Sequence, residues 1–127
     1  MSARQPEQID ELFAQALNAG DLDALMALYE PEAALLPMPD KVVVGTAAIR
    51  ESPAEFLAGK PKIALTPRLV ARTGEWALIT SRWHLSVTGP DGKPAEMNGD
   101  SIEVVRRQSD GSWRFVIDTP WGTQTHG

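Results

Sequence analysis

The chain has 127 residues, of which 43% are hydrophobic and 23% are charged, proportions that are ordinary for a folded globular protein. Its formal net charge of −5 argues against a nucleic-acid partner, because phosphates require a basic surface. The lack of any cysteine excludes disulfides, thiolate metal ligands and a cysteine nucleophile.

The length, together with the lack of repeats, linkers and low-complexity segments, predicts a single domain over residues 1–127. No apolar run is long enough to span a bilayer, so we expect no membrane partner. Residues 1–7 lack the apolar core of a secretion signal. We therefore expect a cytoplasmic protein.

The N-terminal part of the chain predicts two helices separated by a short break. An apolar stripe predicts the first helix over about residues 6–18, with Asp10 among the polar residues on the opposite side. Gly20 can end this helix in the left-handed conformation, and Asp21 can cap the next one. The second helix is predicted over residues 22–29 and is stopped by Pro31.

Two short extended segments and a third helix are predicted next. Residues 33–39 and Lys41–Val44 are small and apolar and flank a turn. The third helix begins near Thr46 and ends near Gly59. We expect it to break or restart at Pro53, because proline lacks the N–H that a continuous helix uses and Ser52 to Glu55 matches a capping box.

The remainder of the chain reads as four strands separated by glycine-containing turns. The strands are predicted over residues 63–72, Trp76–Thr88, about 96–108 and 112–119. Asp110-Gly111 is a strong signal for a tight hairpin turn between the last two. Helices followed by an antiparallel meander indicate the α+β class.

Several segments resemble those of a known superfamily. The runs ALNAGDLD (16–23), ALY (27–29) and GTAAIR (45–50) resemble the corresponding segments of bacterial ketosteroid isomerases, and residues 99–122 resemble other members. The chain is therefore identified as a member of the nuclear transport factor two-like superfamily, in its SnoaL-like and ketosteroid-isomerase-like branch. The resemblance implies a cystatin-like cone, in which a curved, mixed, mostly antiparallel sheet and three N-terminal helices enclose a pocket.

The resemblance also implies positions for catalytic groups. Ketosteroid isomerases combine a carboxylate base with an oxyanion hole that contains a tyrosine and a protonated aspartic acid. The resemblance aligns the base with Pro37, the tyrosine with Phe13 and the acidic donor with Glu103. Since Pro37 cannot abstract a proton and Phe13 has no hydroxyl, we expect no steroid Δ-isomerase activity by that mechanism. The pocket itself is expected to remain.

Glu103 and Asp118 are the candidate catalytic residues. A two-residue turn at Asp110-Gly111 would pair them across the last hairpin, with their side chains about 5 Å apart. If this face lines the pocket, one carboxyl acquires a raised pKa and can act as an acid or base near neutrality. Alternatively, Glu103 pairs with Arg114 and Asp118 caps the next loop. The opposite face is more apolar and is therefore an alternative candidate for the buried face. It carries Ile102, Val104, Trp113, Phe115 and Ile117.

Candidate ligand-binding residues are those expected between the helices and the sheet, and for each of them the alternative is plain core packing. His84 lies on the polar side of its strand, so we expect it at solvent or an interface. With two histidines and no cysteine, we expect no metal site, and no cofactor is indicated. The candidate ligand-binding residues are Phe13, Leu17, Tyr29, Met38, Phe56 and Trp121.

Three functions are compatible with these features. The first is the binding of a small hydrophobic or carbonyl-containing molecule in the pocket, without chemistry. The second is an isomerase, cyclase or hydratase that uses Glu103 and Asp118. The third is a dimeric interaction module without a ligand. Alternate apolar residues in 76–87 and 102–108 also predict a homodimer formed through the convex face of the sheet.

Overall fold

The structure, a computed structural model, describes residues 3–38, 40–89 and 91–122, and of residues 54–56 the backbone alone. Within these ranges, helices and strands follow one another in an α+β order. The helices are α1 (Gln8–Ala19), α2 (Leu22–Met26) and α3 (Thr46–Leu57). The strands are β1 (Tyr29–Met38), β2 (Lys41–Val44), β3 (Lys62–Thr73), β4 (Trp76–Thr88), β5 (Pro94–Arg107) and β6 (Trp113–Thr119).

The strands form one curved, open sheet in the order β2-β1-β6-β5-β4-β3. All neighbouring strands are antiparallel except β1 and β6, which are parallel. Helix α1 contacts β3 and α2, while α3 contacts β1, so the helices cover one face of the sheet. The predicted α+β class and the cone architecture are confirmed. No helix of the described ranges has the length and apolarity needed to cross a membrane.

The break between α1 and α2 forms as the sequence predicts. Gly20 adopts a left-handed conformation (φ 70°), and its N–H and that of Asp21 bond to carbonyls of the last turn of α1. The Asp21 side chain accepts a hydrogen bond of 3.0 Å from the Ala24 N–H and so caps α2. These two interactions turn the chain back within a few residues and bring α2 against α1.

Two predicted helix boundaries are wrong. Helix α2 ends at Met26, and Tyr29 instead begins β1, where it pairs with Phe115 of β6. The helical spacing at Tyr29 is thus overridden by strand pairing. Helix α3 does not break, since Pro53 lies inside it. Proline removes only one backbone hydrogen bond from the helix, and the fully buried Ile49 anchors the preceding turn to the core.

The last hairpin has the predicted pairing of Glu103 with Asp118, but its turn and its last strand differ from the prediction. The N–H of Gln108 bonds to the carbonyl of Ser112, which closes a three-residue turn rather than the two-residue turn expected at Asp110-Gly111. This difference shifts the pairing by one residue. An extra residue in β6, a bulge at Val116, then restores the register, so that Glu103 pairs with Asp118.

The same bulge decides which side chains of β6 face the helices. Trp113 and Phe115 are buried on the inner face together with Asp118, whereas Ile117 is 38% exposed on the outer face. Strict alternation along the strand predicted that Phe115 and Ile117 would share a face, and this is wrong because the bulge changes the alternation. The inner face therefore carries both the aromatic residues and the carboxyls.

Two clusters of buried side chains form the core between sheet and helices. The first core cluster includes Ile9, Tyr29, Ile79, Trp113 and Phe115. The second core cluster consists of Ala16, Leu17, Leu25, Trp83 and Leu85. Phe13 packs against both clusters.

Candidate functional site

A cavity of about 200 Å³ lies between the helices and the inner face of the sheet. Its walls come from all three helices and from strands β1, β3, β4, β5 and β6. Most of the described side chains that line it are apolar, and they belong to both core clusters. Such a cavity, mostly apolar with a few polar groups, is the usual form of a small-molecule site.

Three acidic side chains lie together on the wall of this cavity. Asp10 of α1, Glu103 of β5 and Asp118 of β6 line it and are only 2%, 4% and 5% exposed. No arginine, lysine or histidine is among the described residues that line the cavity. We call these three residues the carboxyl cluster. Buried carboxyls without a cationic partner are rare and are typical of functional sites.

Asp118 is held by the only tyrosine of the chain. The Tyr29 hydroxyl donates a hydrogen bond of 2.5 Å to Asp118 Oδ2 in the buried interior. Burial, followed by the charge of Asp118, raises the pKa of Tyr29 well above its usual value, so the phenol keeps its proton. Burial also raises the pKa of Asp118 to about 6, while the bond from Tyr29 opposes this shift.

Glu103 lies in an environment that favours the neutral acid. Burial raises its pKa to about 10, and the nearby charges of Asp10 and Asp118 add to the shift. The Ser101 hydroxyl donates a hydrogen bond of 2.8 Å to Glu103 Oε2 and holds the side chain in place. At neutral pH, Glu103 is therefore a carboxylic acid that can donate a hydrogen bond into the cavity.

Asp10 completes the cluster, and its pKa is raised to about 7 by burial and then by the charge of Asp118. Hydrogen bonding of the Asp10 carboxyl with Glu103 and with Ser81 opposes this shift. Near neutrality the cluster thus holds a protonated group, Glu103, beside an ionised group, Asp118. This is the combination that acid–base catalysis requires.

The sequence interpretation missed Asp10 because it assigned the residue to the polar side of α1. The structure buries it, so that assignment is wrong. The sequence spacing does place Asp10 on the apolar face of α1, because Asp10 precedes Phe13 by three residues and Leu17 by seven. An acidic residue inside an apolar stripe is a candidate for a buried functional group.

Most of the predicted ligand-binding residues line the cavity. Phe13, Leu17, Tyr29 and Trp121 do so, while the side chain of Phe56 lies outside the described residues. Met38 does not line the cavity and is 48% exposed, so that prediction is wrong. Side chains alternate along a strand, and the preceding residue of β1 is the one that faces the cavity.

Phe13 and Pro37 both line the cavity, as the resemblance implied for the catalytic tyrosine and base of ketosteroid isomerases. Neither side chain carries a group that can transfer a proton. The carboxyl cluster and Tyr29 instead supply titratable groups from other positions. The cavity is thus polar at one end despite the loss of the expected groups.

Two tryptophans form another part of the wall. The rings of Trp83 and Trp121 lie 5.3 Å apart and nearly perpendicular. Their indole N–H groups donate to main-chain carbonyls, from Trp83 to Pro120 (2.7 Å) and from Trp121 to Pro37 (2.9 Å). A Cβ at Gly99 would lie 2.8 Å from the Trp83 ring, so only glycine leaves room for the indole in this orientation.

The alternatives for the remaining polar residues are decided by the geometry. Glu103 has no ion pair in the described part of the chain, so it does not pair with Arg114. His84 is more than half exposed and lies 3.3 Å from Glu96 Oε1, outside the cavity, as predicted. Among the described residues, no set of three or more histidine, cysteine, aspartate or glutamate side chains has an arrangement that could hold a metal ion.

Comparisons with known proteins agree with this architecture. A model of the SnoaL-like domain matches residues 9–116. No curated protein sequence matches the chain. Among solved structures, an NTF2-like superfamily protein from Salmonella enterica is 18% identical, with a TM-score of 0.79 over 95% of this chain and 90% of its own.

Two further structures have similar folds. A ketosteroid isomerase-like protein from Erwinia carotovora is 19% identical, with a TM-score of 0.78 over 89% of each chain. A candidate dehydratase of the NTF2-like family from Streptomyces avermitilis is 21% identical, with a TM-score of 0.75 over 87% of this chain and 88% of its own. At these identities the likeness establishes the fold alone.

Proposed function

The chain belongs to the SnoaL-like domain family, and on that premise we propose that its cavity binds a small, mostly apolar carbonyl compound and transfers a proton on it. The observation that carries this proposal is the carboxyl cluster, which combines a protonated and an ionised carboxyl in one largely apolar cavity. Isomerisation and dehydration both proceed by such a transfer. The candidate dehydratase and the ketosteroid isomerase-like protein of similar fold support these two reaction types.

The proposed roles follow from the charge states of the cluster. Asp118, ionised at neutral pH, accepts a proton from the carbon next to the carbonyl group, and Tyr29 holds the carboxylate in place. The electrons of that C–H bond form a C=C bond, and the carbonyl oxygen becomes negative. Glu103, protonated at neutral pH, donates a hydrogen bond to this oxygen and stabilises the enolate.

Two outcomes complete the reaction. Asp118 returns the proton to another carbon in an isomerisation. In a dehydration, the enolate oxygen re-forms the carbonyl group, and the electrons of the enolate C=C bond form a new C=C bond to the β-carbon. The bond from the β-carbon to its hydroxyl group breaks, and this group takes up a proton to become water. Asp10, the third member of the cluster, lines the same cavity and can supply that proton, since its pKa of about 7 leaves it partly protonated at neutrality.

Solvent deuterium exchange tests this function without knowledge of the natural substrate. The protein is incubated in D₂O with a panel of acyclic, single-ring and fused-ring ketones, and mass spectrometry follows deuterium at the α-carbon. We expect exchange well above the buffer rate for at least one compound. Ligands that bind without exchange would contradict the enzymatic function and favour a binding protein without chemistry.

We also propose that the chain forms a homodimer through the convex face of the sheet, which lies opposite to the helices. Leu78 pairs with Val104, and Val104 with Ile117, so three apolar side chains form a row across this face. Trp76, 42% exposed, extends the row along β4. A contiguous apolar patch of this kind is typical of an interface, and a second copy presents the same row.

Sedimentation tests the dimer. At micromolar concentration we expect a species of about twice the 13.8 kDa mass of the chain. Ile117→Arg should yield the monomer because it places a charge in the interface. Val42→Arg, at an exposed position on the edge strand β2, is the matched control and should leave the dimer intact. A single species near 13.8 kDa for the unmodified chain would refute the dimer.

A further inference from the structure

The volume of the cavity limits the size of its ligand. At about 200 Å³, it is only modestly larger than the roughly 150 Å³ of an apolar cavity that holds benzene. It is also smaller than the roughly 300 Å³ at which pockets for drug-sized ligands begin. In proportion to that benzene complex, the volume suits one substituted six-membered ring, whereas fused rings would be confined more tightly.

The walls suit a flat ring in one orientation. The carboxyl cluster lies at the end of the cavity formed by Tyr29 and Phe115, whose rings are 5.0 Å apart. Trp83 belongs to the second core cluster, Trp121 packs against that cluster, and Trp83 pairs with Gly99, four residues along β5 from Glu103. A ligand whose carbonyl group lies at the carboxyl cluster therefore directs its ring toward the tryptophans. Aromatic side chains favour such a ring by offset or edge contacts.

The charge of the lining disfavours anionic ligands. Asp10, Glu103 and Asp118 are the ionisable acids of the wall, and no cationic side chain is among the described lining residues. An anion bound here would lose its hydration and meet a carboxylate of the same sign. Carboxylates and phosphates are thus disfavoured, while a neutral oxygen can accept a hydrogen bond from the protonated Glu103.

From size, walls and charge together we infer that the substrate is an uncharged compound with a single ring that carries or adjoins its carbonyl group. This inference rests on the proposed function and adds the size and the charge of the substrate. It also names Trp121 as the residue that sets the size limit. Trp121 lines the cavity and is held there by its contact with Trp83 and its hydrogen bond to the Pro37 carbonyl.

Three probes separate these properties. Acetophenone is neutral with one ring, benzoate is an anion of similar size, and 2-acetylnaphthalene is neutral with two fused rings. Calorimetric titration at pH 8 measures their dissociation constants for the unmodified protein. We expect acetophenone to bind at least about tenfold more tightly than either of the others, a difference of about 1.4 kcal/mol. Equal or tighter binding of benzoate or of 2-acetylnaphthalene would overturn the inference.

A pair of variants tests the size limit. Trp121→Ala removes the end wall and should shift the preference toward 2-acetylnaphthalene over acetophenone by about tenfold. Trp121→Phe is the matched control, because it keeps an aromatic ring, although a smaller one, at the wall while losing the indole hydrogen bond, and it should preserve the preference. Circular dichroism of both variants establishes that they are folded. An unchanged preference in folded Trp121→Ala would overturn the role of this residue.

The failure of this inference is distinguishable from the failure of the proposed function. If none of the three probes binds, the inference on size and charge is wrong. Deuterium exchange into an acyclic or a fused-ring ketone would then still support proton transfer by the carboxyl cluster. Conversely, selective binding of acetophenone without exchange into any ketone would support the inference on ligand class and contradict the enzymatic function.

Discussion

Asp118→Asn is expected to slow deuterium exchange into a bound ketone by about 10²–10⁴-fold, the usual contribution of a positioned general base. The amide keeps the shape of the carboxyl but cannot accept the proton. The variant should remain folded and should still bind the ketone. Asp100→Asn, an exposed position whose carboxyl contacts Arg82, is the matched control and should exchange at the unmodified rate.

The pH dependence of exchange separates a base from a structural carboxylate. In the unmodified protein, the rate should rise with pH through about 6 as Asp118 ionises, and should fall near pH 10 as Glu103 loses its proton. Tyr29→Phe removes the hydrogen bond that favours the ionised Asp118, so the acidic limb should move to higher pH. A cap at the end of β6 would behave differently. Asp118→Asn would then lower the free energy of unfolding by about 1 kcal/mol and leave exchange unchanged.

Stability should decrease as the pH rises from about 4 to about 7, the reverse of the usual behaviour of paired carboxylates. In the unfolded chain, Asp10 loses its proton near its ordinary pKa of 3.8, whereas in the folded protein its pKa is about 7. Between these values the folded state binds more protons than the unfolded state. The contribution of Asp10 to the free energy of unfolding therefore falls with rising pH and levels off above about pH 7. The raised pKa of Asp118 likewise makes the free energy of unfolding fall with rising pH up to about pH 6, and the raised pKa of Glu103 does so up to about pH 10.

Asp10→Asn tests this linkage. Since the amide cannot ionise, we expect the free energy of unfolding of the variant at pH 8 to be higher by on the order of 2 kcal/mol, as measured by denaturant titration. The free energy of unfolding of the variant should also depend less steeply on pH. Glu75→Gln is the matched control. Glu75 is exposed, and its hydrogen bond with Arg107 lowers its pKa, so this change should leave stability almost unchanged at pH 8. Identical pH profiles for Asp10→Asn and the unmodified protein would refute the linkage.

The outcome for Tyr29 illustrates how local and tertiary preferences compete. Residues 22–29 carry a helical spacing, yet Tyr29 belongs to β1 because its backbone pairs with β6. This single change of element directs its hydroxyl to Asp118. A residue predicted to line the pocket from a helix thus lines it from a strand, where its hydroxyl donates a hydrogen bond to Asp118.

The sequence by itself determined the class of the fold, the order of its elements and the break at Gly20 and Asp21, because these depend on periodicity and on local conformational preferences. It also predicted that Glu103 pairs with Asp118. That pairing nevertheless depends on a three-residue turn and on a bulge at Val116, which shift the strand register by one residue in opposite directions. The turn length and the bulge are both determined by strand pairing across the sheet. The burial of Asp10 is likewise a tertiary property. A carboxyl on a helix becomes an acid–base group only when the sheet covers it, because removal from water is what raises its pKa.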